Sequence, residues 1–104
     1  MKKLVRDKIP QILGHKAEVV TGDNYRAYLS LKIDEEKNEL RQASFFDLNA
    51  RYPENVKEEA ADVITAVLAL CKTHGFTPED VQKEIERKTA EKGGFDAGYV
   101  MEFS

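Results

Sequence analysis

The sequence predicts an all-α fold, a helical bundle built from a short N-terminal segment and three main helices. Two observations carry this expectation. Apolar residues recur at helical spacing through long stretches free of Gly and Pro, and those stretches are bounded by helix starts and stops of recognisable chemistry.

Taken in order, residues 5 to 13 suit a short helix broken by Gly14, with Pro10 either limiting its regular part or opening its turn. Ala17 to Thr21 reads as a brief extended piece. Thr21, Asp23 or Asn24 can cap the next helix, expected over about residues 24–45, and Phe46 to Tyr52 form a connection. Pro53 stands at a favoured first-turn position, with Glu54, Glu58 and Glu59 in the acidic opening of a helix that should run to His74 and stop at Gly75. Thr77-Pro78-Glu79-Asp80 opens a further helix ending at Gly93-Gly94. The closing residues, with Phe95, Tyr99 and Phe103, should be irregular and packed on a neighbour.

With 104 residues the chain suits one domain spanning 1–104. Hydrophobic residues make up 41% and charged residues 34%, which excludes a disordered tail and a membrane protein. No apolar run approaches the roughly 20 residues a bilayer span requires. The opening Met1-Lys2-Lys3-Leu4-Val5-Arg6-Asp7 breaks into charge before a signal core could form, so a cytoplasmic protein is expected. The single Cys71 lies in an apolar stretch and reads as a small buried hydrophobe. A net charge of -3 argues against nucleic acid as a partner, and an anionic ligand would need a metal ion to meet it.

The chemistry-bearing signal is acidic. Leu29, Ile33, Leu40 and Ala43 share one stripe of the long helix, and the vacant place in that stripe holds Glu36. Glu39 lies three residues on, about 60° around the helix, and Glu35 pairs with it at four-residue spacing. On the next helix the nearly all-round apolar run from Ala60 to Cys71 carries Asp62, with Glu59 one turn earlier. An unpaired carboxylate in such a setting must be neutralised, paired or bound to metal. Clustered oxygens without His or Cys are hard ligands, suited to Mg²⁺, for which Mn²⁺ may substitute. The bland alternative, a solvated acidic face, weighs most for Glu35 and Glu58. A ferritin-like di-iron centre would need Glu-x-x-His motifs, which the sequence lacks. His15 and His74 fall beside helix ends, where a surface or dipole role suffices.

Glu35-Glu36-x-x-Glu39 followed, after a gap of nineteen residues (40 to 58), by Glu59-x-x-Asp62 resembles the paired ExxE and ExxD motifs of the all-alpha nucleotide pyrophosphohydrolases. That superfamily includes MazG, the dimeric dUTPases and phosphoribosyl-ATP pyrophosphatase. Lys3-Leu4-Val5-Arg6-Asp7-Lys8-Ile9-Pro10 resembles the start of a MazG-like subgroup, and Lys88-x-x-x-Lys92-Gly93-Gly94-Phe95 resembles its C-terminal segment, with Lys92 where the subgroup usually has Arg. The resemblance implies that Glu36, Glu39, Glu59 and Asp62 coordinate Mg²⁺ and that Glu35 lies nearby as a second-metal ligand or general base. It implies too that Lys88 and Lys92 face phosphates. For Arg6 a substrate contact and a structural ion pair stand level.

The activity expected from these readings is Mg²⁺-dependent hydrolysis of a nucleoside triphosphate to monophosphate and pyrophosphate, with Glu35 or Glu39 as general base, as in house-cleaning of aberrant nucleotides. Phosphoribosyl-ATP pyrophosphatase is the alternative within this chemistry, and a non-catalytic helical interaction module the alternative outside it. A homodimer or homotetramer is expected, because two long helices cannot bury both faces alone. Phe45, Phe46, Tyr52 and Phe76 are candidates for a base site, although packing is the commoner role of such aromatics.

Overall fold

Four helices follow one another: α1 (Ile9–Leu13), α2 (Gly22–Phe45), α3 (Pro53–Thr73) and α4 (Pro78–Lys92). The computed structural model describes residues 1–45 and 53–104, so the expected connection, with Phe46 and Tyr52, lies outside the described residues. Among those described there is no strand, and residues 15–20 are irregular.

Several boundaries have a chemical cause. Pro10 sits in the first turn of α1, where its missing N–H costs nothing, so the helix begins at Ile9 and residues 5 and 6 stay outside it. At its end Gly14 adopts φ 67°. The Gly14 and His15 N–H groups then donate to the carbonyls of Gln11 and Pro10 at 3.2 and 3.0 Å, closing the helix end. The same closure ends α3: Gly75 N–H donates to Lys72 and Phe76 N–H to Cys71, at 3.0 and 3.1 Å. Thr77 then starts α4 with a reciprocal pair of bonds. Its hydroxyl accepts from the Asp80 N–H at 3.1 Å, and its own N–H donates to the Asp80 carboxylate at 2.9 Å.

The packing is narrow. α2 lies along α3, α4 touches only α3, and α1 lies against none of the other helices among the described residues. Leu29, only 2% exposed, and Ala66 form the fully buried centre. Ile33, Leu40 and Ala43 are half-buried around it, so the predicted stripe does face the core. α3 departs from the expectation of all-round burial, since Ile64 is 57% exposed. With Val67, Leu68, Val81 and Ile85 it lines an open apolar cleft of about 540 Å³ between α3 and α4. The closing segment is irregular as expected, and among the described residues its aromatic side chains are not packed: Phe95 is 98% exposed, and Tyr99 and Phe103 are also exposed. A radius of gyration of 17.0 Å, against about 13 Å for a closely packed chain of this length, expresses the same thin core. No helix among the described residues is long and apolar enough to cross a membrane.

With so little else buried, Leu29 should dominate stability. Leu29→Ala is expected to cost about 3 kcal/mol, read as a lowered midpoint in urea unfolding followed by circular dichroism.

Candidate functional site

The α2–α3 seam brings acidic residues together. Glu36 fills the gap in the apolar stripe of α2 and is only 6% exposed. Across the seam, Glu59 and Asp62 stand one turn apart on α3, both half-buried. Glu36, Glu59 and Asp62 each place one carboxylate oxygen within 4.8 Å of the other two.

Two cations meet this cluster and a third meets Glu35 beside it. Lys32 is one turn before Glu36 on α2 and places its Nζ 3.0 Å from Glu36 Oε1 and 3.8 Å from Glu35 Oε2. Arg6, from the irregular N-terminal segment, donates from Nη2 to Asp62 Oδ1 at 2.6 Å. Lys3 donates to Glu35 Oε1 at 3.1 Å. Even so, Glu36 Oε2 and Glu59 Oε2 are buried with no hydrogen-bond partner.

Glu39 completes the group from the edge. Most of the residue faces solvent, but its carboxyl end meets the cluster. Burial there, then the negative charge of Glu36 and contact with Glu36 and Glu59, pushes the Glu39 carboxyl up to about 7. Loss of water and a neighbouring negative charge both disfavour the ionised carboxylate, which is the physical content of that rise. Glu35 moves the other way. The hydrogen bond from Lys3, opposed by burial and assisted by the charge of Lys32, holds its carboxyl below the usual carboxylate range.

The donor set fits the Mg²⁺ that the motifs imply. It is all oxygen, it carries excess negative charge, and two of its buried oxygens lack a partner that a hard cation would provide. Glu36, Glu59 and Asp62 would hold such an ion, with Glu39 beside them and Glu35 one step outside, paired to Lys3.

The substrate-contact candidates fare unequally. Arg6 is brought to the cluster. Lys88 and Lys92 are exposed on α4, which does not touch α2, and neither pairs with a cluster carboxylate among the described residues. Phe45 and Phe76 are exposed and line neither of the two main clefts. Lys32 and Lys3 are site residues that the sequence reading passed over. The four-residue step from Lys32 to Glu36 was the available signal for the first, whereas nothing local ties Lys3 to Glu35.

The family model described as phosphoribosyl-ATP pyrophosphohydrolase matches residues 6–89. Proteins named phosphoribosyl-ATP pyrophosphatase from Saccharolobus islandicus and Saccharolobus solfataricus are each 33% identical over 88 residues, covering 83% of this chain and 87% of theirs. The protein of that name from Sulfolobus acidocaldarius is 29% identical over 96 residues, covering 85% and 97%. No solved structure matches the chain.

The raised Glu39 carboxyl has a consequence for the metal-free protein. The folded state holds this proton more tightly than the unfolded chain, so the contribution of Glu39 to stability is fully present below pH 4.5 and is lost as the pH rises to about 7. Solvent around Glu39 screens the effect. In EDTA, the Tm of Glu39→Gln minus that of the parent should grow across this window, by about a few degrees at most; a constant difference would contradict the assignment.

Proposed function

The chain belongs to the phosphoribosyl-ATP pyrophosphohydrolase family, and from that premise we propose that it splits phosphoribosyl-ATP into phosphoribosyl-AMP and pyrophosphate. The observation that carries the proposal is the convergence of Glu36, Glu59 and Asp62 from two helices at a seam where two of their oxygens are buried and unpartnered. The motif resemblance put a MazG-like nucleoside triphosphate pyrophosphohydrolase first and phosphoribosyl-ATP pyrophosphatase second; the matched family and relatives favour the second. Membership of a hydrolase family also counts against a non-catalytic helical module.

The chemistry divides among the residues. Glu36, Glu59 and Asp62 hold a divalent cation, Mg²⁺ or Mn²⁺, with Glu39 completing the acidic rim. Such an ion supplies positive charge to the phosphates and acidifies water at the site. Glu35 or Glu39 accepts the proton of the attacking water, the one standing just outside the cluster and the other on its rim. Arg6, already at Asp62, is the cation placed to turn toward a phosphate oxygen, for which its planar fork is suited. Lys88 and Lys92 have no such position within one subunit.

One feature favours keeping the MazG-like reading as a second hypothesis. The matched region, 6–89, leaves out Lys3-Leu4-Val5 and Lys92-Gly93-Gly94-Phe95, which carry much of that resemblance. Pyrophosphate release from phosphoribosyl-ATP and from a panel of normal and altered nucleoside triphosphates separates the two. Turnover of phosphoribosyl-ATP well above the panel is expected, and the reverse order would favour the MazG-like reading. Glu36→Gln and Asp62→Asn should each lower turnover by about 100-fold or more; full Mg²⁺-dependent turnover in either variant would remove that residue from the site.

We propose a cytoplasmic homodimer or homotetramer; the apolar cleft around Ile64 and Ile85 and the thin core of the single chain support the assembly. Light scattering should give a mass of two or four times 11.8 kDa, and Ile64→Glu should lower it; a monomeric mass for the parent would refute the assembly.

A further inference from the structure

A second cleft adjoins the acidic seam. It has a volume of about 340 Å³ and lies between the N-terminal segment and α2, with Lys3, Leu4, Tyr28, Leu31, Lys32 and Glu35 in its walls. Its surface is mainly apolar, and of the three lysines that line it Lys3 and Lys32 pair with the acidic group, Lys3 with Glu35 and Lys32 with Glu35 and Glu36, whereas Lys2 pairs with Glu18. Leu31 and Lys32 lie three and four residues after Tyr28, Glu35 lies four after Leu31 and Glu39 four after Glu35, so together they form a single face of α2. One end of that face is aromatic and aliphatic. The other end enters the carboxylate cluster.

We infer that this cleft receives the nucleoside of the substrate, with Tyr28 and Leu31 against the base and Lys3 and Lys32 at its phosphate-facing end. The inference rests on the nucleotide pyrophosphohydrolase reading and adds to it where the nucleoside lies. Charge and size both select this occupant. A triphosphate chain has no reason to enter walls of Leu4, Tyr28 and Leu31, but it is drawn to the Lys3 and Lys32 end, where a cation held at the cluster would compete with Lys32 for Glu36 and free that lysine. Small-molecule sites begin at roughly 300 Å³, so the cleft suits a nucleoside and is too small for a whole phosphoribosyl-nucleoside triphosphate. Leu31 and Glu39 are eight residues apart, about 12 Å along the helix axis. A nucleoside against Leu31 therefore has its phosphates beside the carboxylates.

The test uses the full chain in EDTA, with adenosine 5′-monophosphate titrated by calorimetry, so that neither metal nor turnover enters the readout. Tyr28→Ala should weaken binding by roughly tenfold or more, the size expected for loss of a base–aromatic stack. Leu31→Glu places a carboxylate in the cleft at a residue that is 64% exposed, where the fold tolerates it, and should weaken binding at least as much. Helix content and Tm, followed by circular dichroism, confirm that the variants are folded. Unchanged affinity in Leu31→Glu, or no binding by the parent protein, overturns the inference. Pyrophosphate release by the parent separates the two readings. Turnover with unaltered binding in both variants defeats the cleft and leaves the activity standing, whereas lost binding in the variants with no turnover of any nucleotide by the parent supports the cleft and defeats the activity.

Discussion

Like charges forced together by packing are the constraint on which this structure depends. Leu29 and Ala66 bring α2 and α3 into register, and that register carries Glu36, Glu59 and Asp62 to one place with Glu39 on the rim. Carboxylates at such spacing repel one another, and desolvation adds to the penalty. The fold answers with Lys32 and Arg6 on two of them and a Glu39 carboxyl whose tendency to ionise is lowered. Two buried oxygens remain without a partner. A chain with so small a core has little stability to set against an arrangement of this kind, which is why the cluster reads as a site and not as a packing accident.

The parts of this picture legible in the sequence are those determined over short range. Pro10, Gly14, Gly75 and the Thr77–Asp80 box act within one turn of chain, and each sits where its chemistry requires. Glu36 was legible for a related reason: a carboxylate replacing an apolar residue in a regular stripe can be located without knowledge of the partner helix. The convergence of Glu59 and Asp62 with Glu36 needed the resemblance as well, because helix pairing is not written in periodicity.

What the sequence hid depends on relations between segments. The salt bridge from Arg6 to Asp62 spans 56 residues and that from Lys3 to Glu35 spans 32, so no local pattern announces either. Lys88 and Lys92 looked like phosphate ligands, yet α4 touches only α3 and leaves them in solvent. The apolar run of α3 suggested complete burial, but one chain does not supply enough helix surface to cover Ile64. The aromatic tail was expected to find a neighbour, and among the described residues it has none.

The pairing of Lys32 with Glu36 also bears on the order of assembly. Both residues belong to α2, one turn apart, so their attraction is available as soon as that helix forms and needs no loop to close. The acidic residue that ends up deepest in the seam thus reaches its destination already accompanied by a counter-charge. When α3 docks, it desolvates an ion pair in place of a bare anion, which eases the approach of Glu59 and Asp62. A functional cluster that strains the finished fold is in this way kept from obstructing the path to it.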